Sequence, residues 1–185
     1  MLHMEQKDYK LEIILKLIRE ENHARAIAKA LQTNHMQVFR KIKSLQKENA
    51  VDYKEKGKNK TYFLKDTIES KSYVYKAENY KLVKTLEKYP NLRMIIEKIQ
   101  KHPKIKLAIL FGSYAKGLAK KDSDIDVYIG TTNHSLKEEI EKINTKLSVK
   151  AGDYNRSNLL IKEIEKNHVI IKGIERYYEK NKFFD

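Results

Sequence analysis

The chain has 185 residues, of which 41% are hydrophobic, and this is enough for one large or two small packed domains. It has no cysteine, which excludes a disulfide framework and a thiolate metal site. The formal net charge is +14, and residues 1–65 hold 15 lysines and arginines against 8 acids, which favours a polyanionic partner, nucleic acid first, over a generally charged thermophile-type surface.

Three short helices are predicted in the first 50 residues. The segments Tyr9–Glu20 and His23–Leu31 both carry apolar residues at helical spacing. A turn follows in which Asn34 is a suitable N-cap, and His35–Lys47 then carries a third apolar stripe. The tight turn before the third helix predicts a helix-turn-helix.

Two alternating strand-like runs come next, Ala50–Lys56 and Lys60–Lys65, joined across Gly57, Lys58 and Asn59. Together with the helices they resemble a winged helix-turn-helix domain. The resemblance implies that the third helix enters the major groove of DNA and that the lysines of the wing reach phosphates. The DNA-binding residues would then be His35, Met36, Gln37, Arg40, Lys41, Lys58 and Lys60.

Arg40 is the preferred base contact, because its guanidinium group can bind a guanine edge at two points. Phe39 is either a further contact or part of the core. The alternative for the whole module is that it binds a protein or dimerises, with its charges on a solvated face.

Residues 66–103 are predicted to form a helical linker, with a stop at Tyr89, Pro90 and Asn91. Its tyrosine-rich face either stacks on bases or packs as core or as a dimer seam, and packing is the more common use of such a stripe. The predicted domains are therefore 1–65, 66–103 and 104–185, in a protein that we expect to be a homodimer.

A motif with two halves lies in the C-terminal segment. Gly112 and Ser113 follow the apolar strand Ile105–Phe111, and Asp124 and Asp126 open the next strand. Side chains two residues apart on a strand share a face, so both carboxylates point the same way. Such a pair suits Mg²⁺, which takes one or two protein carboxylates together with phosphate oxygens.

Each half of this motif is weak alone, since Gly-Ser is a common turn and acids often end a sheet. Together they resemble the signature of the polymerase-beta nucleotidyltransferase superfamily, in its minimal branch, over roughly residues 104–174. The resemblance implies that Gly112, Ser113 and Lys116 bind a nucleoside triphosphate, ATP first. It also implies that Asp124 and Asp126 are catalytic and ligate Mg²⁺, with Mn²⁺ as the alternative.

The family usually adds a third carboxylate from a later strand. In this chain that strand is predicted at Lys146–Ala151, which contains no acid. The first carboxylate beyond it is Asp153, in a predicted turn after Gly152, where it is either a catalytic substitute or, more ordinarily, a turn residue. Nucleotide binding is therefore better supported by the sequence than turnover.

Further elements complete the C-terminal half. They are a helix at about Ser135–Lys146, a helix near Leu159–Lys166, a strand at His168–Ile171 and a final helix after Gly173. The predicted fold class is α+β, with an N-terminal winged helix-turn-helix, a helical linker and a C-terminal nucleotidyltransferase α/β domain built on a small mixed sheet.

The expected function is transfer of a nucleoside monophosphate to a hydroxyl acceptor, by a protein that also binds DNA. Small relatives in the superfamily include antitoxins that transfer AMP onto a tyrosine of a HEPN-type toxin, so a HEPN-type partner protein is one expectation. The competing expectation is a transcription regulator whose nucleotidyltransferase domain has weakened and senses nucleotide. No run reaches the roughly 20 apolar residues of a membrane helix, so we expect a cytoplasmic protein.

Overall fold

A computed structural model describes residues 7–57 and 59–184, and the chain divides into two compact units, 1–80 and 81–185. Residues 66–80 belong to the first unit and 81–103 to the second. The domain limits inferred from the sequence, 1–65, 66–103 and 104–185, stay predictions.

The first unit begins with three helices, α1 (Tyr9–Arg19), α2 (Ala24–Leu31) and α3 (His35–Lys47). The turn between α2 and α3 begins at Gln32, which has a left-handed backbone, and ends at Asn34, whose side chain accepts from the Met36 N–H at 2.7 Å. This cap satisfies an N–H that the first helical turn would otherwise leave without a partner. The predicted helix-turn-helix is confirmed.

A three-stranded antiparallel sheet completes the winged helix-turn-helix architecture. The wing is the hairpin of β2 (Val51–Lys56) and β3 (Asn59–Leu64), and β1 (Asn22–His23) pairs with the other edge of β3. Strand β1 was not predicted, because two residues are too short to show an alternating pattern.

The predicted helical segment contains α4 (Ile68–Lys88), a 3₁₀ turn (Pro90–Leu92) and α5 (Arg93–Lys101). The break lies at Pro90, as the sequence predicts. Val74 and Ala77 on the first half of α4 are fully buried, so this part of the helix packs as core. In the described part of the chain, no helix has both the length and the apolar character needed to cross a membrane.

The second unit contains a four-stranded mixed sheet in the order β6-β5-β4-β7. Strands β5 and β6 are parallel, and the other two pairs are antiparallel. The strands are β4 (Ala108–Leu110), β5 (Ile125–Gly130), β6 (Leu147–Gly152) and β7 (Val169–Lys172). The helices that follow β4 are α6 (Gly112–Ala115), α7 (His134–Glu141), α8 (Leu159–Lys166) and α9 (Ile174–Lys180). The predicted fold class is confirmed.

One face of β5 lies in the core of the second unit. Ile125, Val127 and Ile129 pack in one buried cluster with residues of α5 and α7. Burial of each such side chain is worth about 1.5–3 kcal/mol, and a shift of one residue in register would exchange the two faces of the strand. Core packing therefore fixes Asp126 on the opposite face from this cluster.

A partly exposed carboxylate ties three helices of the first unit together. Glu48, directly after α3, accepts hydrogen bonds from Lys10 Nζ at 2.6 Å, from Ser44 Oγ at 2.8 Å and from the Tyr73 hydroxyl. The hydrogen bonds from Lys10 and Tyr73 lower the pKa of Glu48 to about 2. The carboxylate therefore stays ionised in the folded state well below the pH at which it is protonated in an unfolded chain.

The depressed pKa of Glu48 predicts an acid-sensitive contribution to stability. A group with a lowered folded-state pKa stabilises the fold above its unfolded pKa, and this contribution is lost as the pH falls from about 4.5 towards 2. We expect Glu48→Gln to lower stability at neutral pH by about 1 kcal/mol, or a melting midpoint by roughly 4 °C or more. The difference from wild type should shrink by about pH 3.

Thermal unfolding followed by circular dichroism across this pH range provides the measurement. Glu21→Gln is the matched control, because Glu21 pairs with Lys54 in an exposed ion pair that should contribute little. A Glu48→Gln deficit that did not change with pH would contradict the assignment.

Candidate functional site

The two halves of the C-terminal motif meet at one end of the antiparallel β4–β5 pair. Leu110 pairs with Val127, and the Phe111 N–H donates to the Asp126 carbonyl at 3.0 Å. This register brings Gly112, the next residue, against Asp126. A Cβ atom at Gly112 would lie 2.2 Å from Asp126 Oδ2, so the carboxylate fills the space that any larger residue would need.

The backbone also requires glycine at this position. Gly112 has a φ of +67°, in the left-handed region that other residues avoid. Helix α6 starts here, and the Lys116 N–H donates back to the Gly112 carbonyl at 3.1 Å. Ser113 is partly buried next to Gly112, and Lys116 is exposed at the end of the turn.

Three residues, from the end of α4 to the 3₁₀ turn, contact the turn formed by α6 and Gly117. Lys88 Nζ donates to the Gly117 carbonyl at 2.9 Å, and Asn91 Nδ2 donates to the Tyr114 hydroxyl at 3.3 Å. The Tyr89 ring lies edge-on to that of Tyr114 at 4.9 Å. Sequence reasoning missed these supporting residues, since contacts across more than 20 positions leave no local pattern.

Asp124 and Asp126 form the acidic part of the site. Asp124 is exposed just before β5, and Asp126 is half-buried as the second residue of the strand. Burial, followed by the negative charge of Asp124, raises the pKa of Asp126. A cation between the two carboxylates would relieve this repulsion, and oxygen ligands suit a hard ion such as Mg²⁺.

The ligand set from the protein is small. Within residues 7–57 and 59–184, no three histidine or acidic side chains are placed to hold one metal ion together. Two carboxylates are nevertheless a sufficient protein share for Mg²⁺, which keeps water and takes phosphate oxygens from a substrate. The residues present therefore fit a magnesium–triphosphate complex rather than a metal held by protein alone.

Strand β6 brings no acid to the pair. Its parallel register places Ser148 beside Asp126 and Lys150 beside Tyr128. The positive charge of Lys150 partly offsets the rise in the pKa of Asp126. The acid-free strand predicted from the sequence thus lies directly next to the acidic pair.

Asp153 lies towards the other end of β5. Gly152, the residue before it, pairs with Gly130, the last residue of β5. Gly130 is four positions beyond Asp126, or roughly 13 Å along an extended strand. The structure therefore does not bring Asp153 together with Asp124 and Asp126, and Asp153 lies in the irregular segment directly after β6.

Helix α8 contributes a carboxylate that the sequence analysis did not identify. Glu163 Oε1 lies 3.4 Å from Lys116 Nζ, the lysine predicted to bind phosphate. Glu163 also raises the pKa of Asp126, after the effects of burial and of Asp124. On the sequence it is one acid in a charged helix, and only the folded arrangement shows its relation to the motif.

In the first unit, α3 presents part of the predicted DNA-binding set to solvent. Arg40 and Lys41 are exposed, and the Met36 side chain is 51% exposed although it is apolar. His35 stacks on Phe39 with ring centroids 6.2 Å apart, which makes both part of one partly buried surface. Gln37 accepts from the Thr33 hydroxyl at 2.8 Å and so helps to hold the turn.

The wing supplies one further predicted contact. Lys60 is exposed, and its Nζ lies 3.9 Å from the centre of the Tyr53 ring. This cation–π contact holds the ammonium group on the hairpin. Lys58 lies outside the described residues.

Comparison with known proteins bears on the C-terminal half. Residues 93–176 match the family Polymerase beta, Nucleotidyltransferase. The nucleotidyltransferase match covers slightly less than half of the chain and contains Gly112, Ser113, Asp124, Asp126 and Glu163. No curated protein matches the sequence.

Several solved structures are similar to parts of the chain. The adhesin competence repressor AdcR from Streptococcus pyogenes is 20% identical, over 49% of this chain and 67% of that chain, with a TM-score of 0.40. A variant of Lactococcus lactis ZitR is 18% identical, over 50% of this chain and 63% of that chain, with a TM-score of 0.38. A toxin-antitoxin with AMP-PNP is 23% identical, over 58% of this chain and 80% of that chain, with a TM-score of 0.35. All three TM-scores are below 0.5, which is too low to support an inference. The candidate site therefore rests on the nucleotidyltransferase match and on the arrangement of Gly112, Asp124 and Asp126.

The contact between Gly112 and Asp126 predicts a specific effect of substitution. In Gly112→Ala the new methyl group would displace the Asp126 carboxylate. We expect the affinity for Mn²⁺ with ATP to fall by about tenfold or more, a size typical of disturbed metal surroundings. Isothermal titration calorimetry with Mn²⁺ and ATP measures the change.

Gly117→Ala is the matched control. Gly117 has a similar φ of +71°, but its Cβ would meet only Lys88 Nζ, at 3.4 Å. Both variants should lose similar stability through backbone strain, roughly 1–2 kcal/mol. Equal losses of Mn²⁺ affinity in the two variants would show that strain in the loop, and not the position of Asp126, is responsible.

Proposed function

We propose that the second unit is a Mg²⁺-dependent nucleotidyltransferase that moves a nucleoside monophosphate from a triphosphate, ATP first, to a hydroxyl acceptor. The observation that carries the proposal is the Asp126 carboxylate seated against Gly112, with Asp124 beside it, inside the segment that matches the nucleotidyltransferase family. We propose further that the first unit binds DNA.

Each part of the motif has a role in this reaction. Asp124 and Asp126 would hold the ion, which when bound neutralises phosphate charge and so favours attack at the α-phosphorus. Gly112 leaves room for the Asp126 carboxylate, and Ser113 and Lys116 supply donors to the oxygens of the triphosphate. The acceptor hydroxyl gives its proton to solvent and its oxygen bonds to the α-phosphorus, while the bond from the α-phosphorus to the oxygen bridging to the β-phosphorus breaks and pyrophosphate leaves with that electron pair.

A protein is the acceptor that we favour. Leu118, two residues after Lys116, is 72% exposed, and Leu159, one turn before Glu163 on α8, is 81% exposed. Because Lys116 and Glu163 are in contact, both leucines belong to the surroundings of the site. Exposed apolar side chains there suit a macromolecular surface, in keeping with the suggested HEPN-type partner.

A second candidate is a DNA-binding transcription regulator that senses nucleotide without turnover. The specific observation in its favour is strand β6, which places a serine and a lysine, and no acid, next to the acidic pair. A site of this kind can bind a metal–triphosphate complex and still lack a group to remove the proton from an acceptor.

Nucleotide binding and transfer are tested together. We expect the wild-type chain, Mg²⁺ and ATP labelled at the α-phosphorus to transfer label to a candidate acceptor protein, with release of pyrophosphate. Asp124→Asn with Asp126→Asn should abolish both transfer and metal-dependent ATP binding, because the neutral amides no longer attract the ion.

The outcomes separate the candidates. Saturable, metal-dependent ATP binding without transfer to any acceptor, together with an effect of ATP on DNA affinity, would favour the regulator. Unchanged ATP affinity in the doubly substituted chain would overturn the site in either case.

The DNA-binding proposal predicts a steep dependence on salt. The exposed Arg40 and Lys41 of α3 and Lys60 of the wing lie on the helix and hairpin that this architecture presents to DNA. We expect affinity for duplex DNA from upstream of the coding sequence to fall steeply with added salt, as phosphate contacts release counterions. Arg40→Ala should cost about 1–3 kcal/mol of binding free energy on that duplex.

Arg19→Ala is the control, since Arg19 is equally exposed and carries the same charge but lies at the end of α1. Fluorescence anisotropy at several salt concentrations gives both quantities. Binding that is undetectable or insensitive to salt would favour a protein-binding module. The homodimer expected from the sequence stays a prediction.

A further inference from the structure

Neither strand β6 nor Asp153 provides a third carboxylate beside Asp124 and Asp126. Strand β6 offers Ser148 next to Asp126, and Asp153 is displaced towards the far end of β5. A divalent ion held by only two carboxylates depends heavily on its substrate for further ligands. Another acid able to reach the site would strengthen binding of the metal–nucleotide complex.

Glu163 forms an ion pair with a lysine of the motif loop. It lies on α8, which is anchored by the buried side chains of Ile161 and Ile164, whereas Glu163 itself is exposed. Its carboxylate contacts Lys116, which is only four residues beyond Gly112. The Lys116 N–H donates to the Gly112 carbonyl at 3.1 Å, and Gly112 lies against the Asp126 carboxylate, so the lysine that pairs with Glu163 belongs to the same turn as the motif glycine.

The contact between Lys116 and Glu163 is suited to exchange. At 3.4 Å, with side chains 39% and 58% exposed, it is an open ion pair of the kind that contributes about 0–1 kcal/mol. Lys116 is also the first lysine after Gly112 and Ser113 on the chain, where a triphosphate would attract it. A triphosphate that takes Lys116 therefore leaves Glu163 without its cation, beside an incoming divalent ion.

We propose that Glu163 supplies the third carboxylate of the nucleotide site, and that Lys116 holds it until a metal–triphosphate complex binds. This inference rests on the proposed function. Because the described residues contain no preformed group of three metal ligands, the Glu163 side chain must turn away from Lys116 to reach the ion.

The test measures metal binding and not activity. The probe is Mn²⁺, titrated into the full chain saturated with an ATP analogue that cannot be cleaved between the α- and β-phosphates. We expect Glu163→Gln to bind Mn²⁺ about tenfold or more weakly than wild type. Glu139→Gln is the matched control, because Glu139 has the same 58% side-chain exposure and is paired with His102, outside the site. It should bind Mn²⁺ like wild type.

Glu163→Asp separates ligation from a general effect of charge. It keeps the negative charge but shortens the side chain by one methylene group, so a ligand role predicts a loss close to that of Glu163→Gln. Manganese affinity equal to wild type in Glu163→Asp would show that only the charge matters and would overturn the proposal. Wild-type affinity in Glu163→Gln would overturn it as well.

The role of Lys116 has its own measurement. Without nucleotide, Lys116→Ala should bind Mn²⁺ several-fold more tightly than wild type, because Glu163 is released. The gain should vanish when Glu163→Gln is added, and a gain that persists would contradict the exchange. Melting midpoints of all variants identify any that fail to fold. Failure of the wild-type chain to bind Mn²⁺ with the analogue would instead overturn the proposed function.

Discussion

The site depends on a half-buried carboxylate, Asp126, that lies against a glycine and beside a second carboxylate. Asp126 is half-buried, Asp124 adds a second negative charge, and both effects make the ionised pair costly in the absence of a cation. Gly112 permits this arrangement, because the place of its missing side chain is taken by the Asp126 carboxylate. The fold thus holds two negative charges close together, and a divalent ion with a polyphosphate can compensate them.

The sheet of the second unit sets the positions of these carboxylates and of the loop beside them. Apolar residues of β5 pack into the core and so fix which face carries Asp126, while the β4–β5 register sets which residue of the loop lies against it. The parallel neighbour β6 then decides the chemistry by placing a serine and a lysine where another acid would strengthen the metal site. In the proposed function, binding would depend on β4 and β5 and turnover on β6, so two candidate functions arise from one site.

Much of this arrangement was predictable from local patterns. The limits of α3 and α8 follow from apolar periodicity and an asparagine cap, and the spacing of Asp124 and Asp126 places both on one face of a strand. The two-residue strand β1 was not predictable, since it is defined only by its pairing with β3. The contact of Glu163 with Lys116 joins residues 47 positions apart, and nothing in a single sequence marks such a pair. The position of Asp153 likewise depends on the β5–β6 register and not on its distance from the motif along the chain.

The ion pair of Lys116 and Glu163 has a consequence for how the domain responds to its surroundings. If one lysine serves either a carboxylate or a phosphate, then metal and nucleotide each improve the affinity of the other by the same factor, as thermodynamic linkage requires. The factor would be modest, because an open ion pair worth about 0–1 kcal/mol limits it to roughly fivefold. A surface contact of small energy would in this way make the binding of metal and nucleotide weakly cooperative.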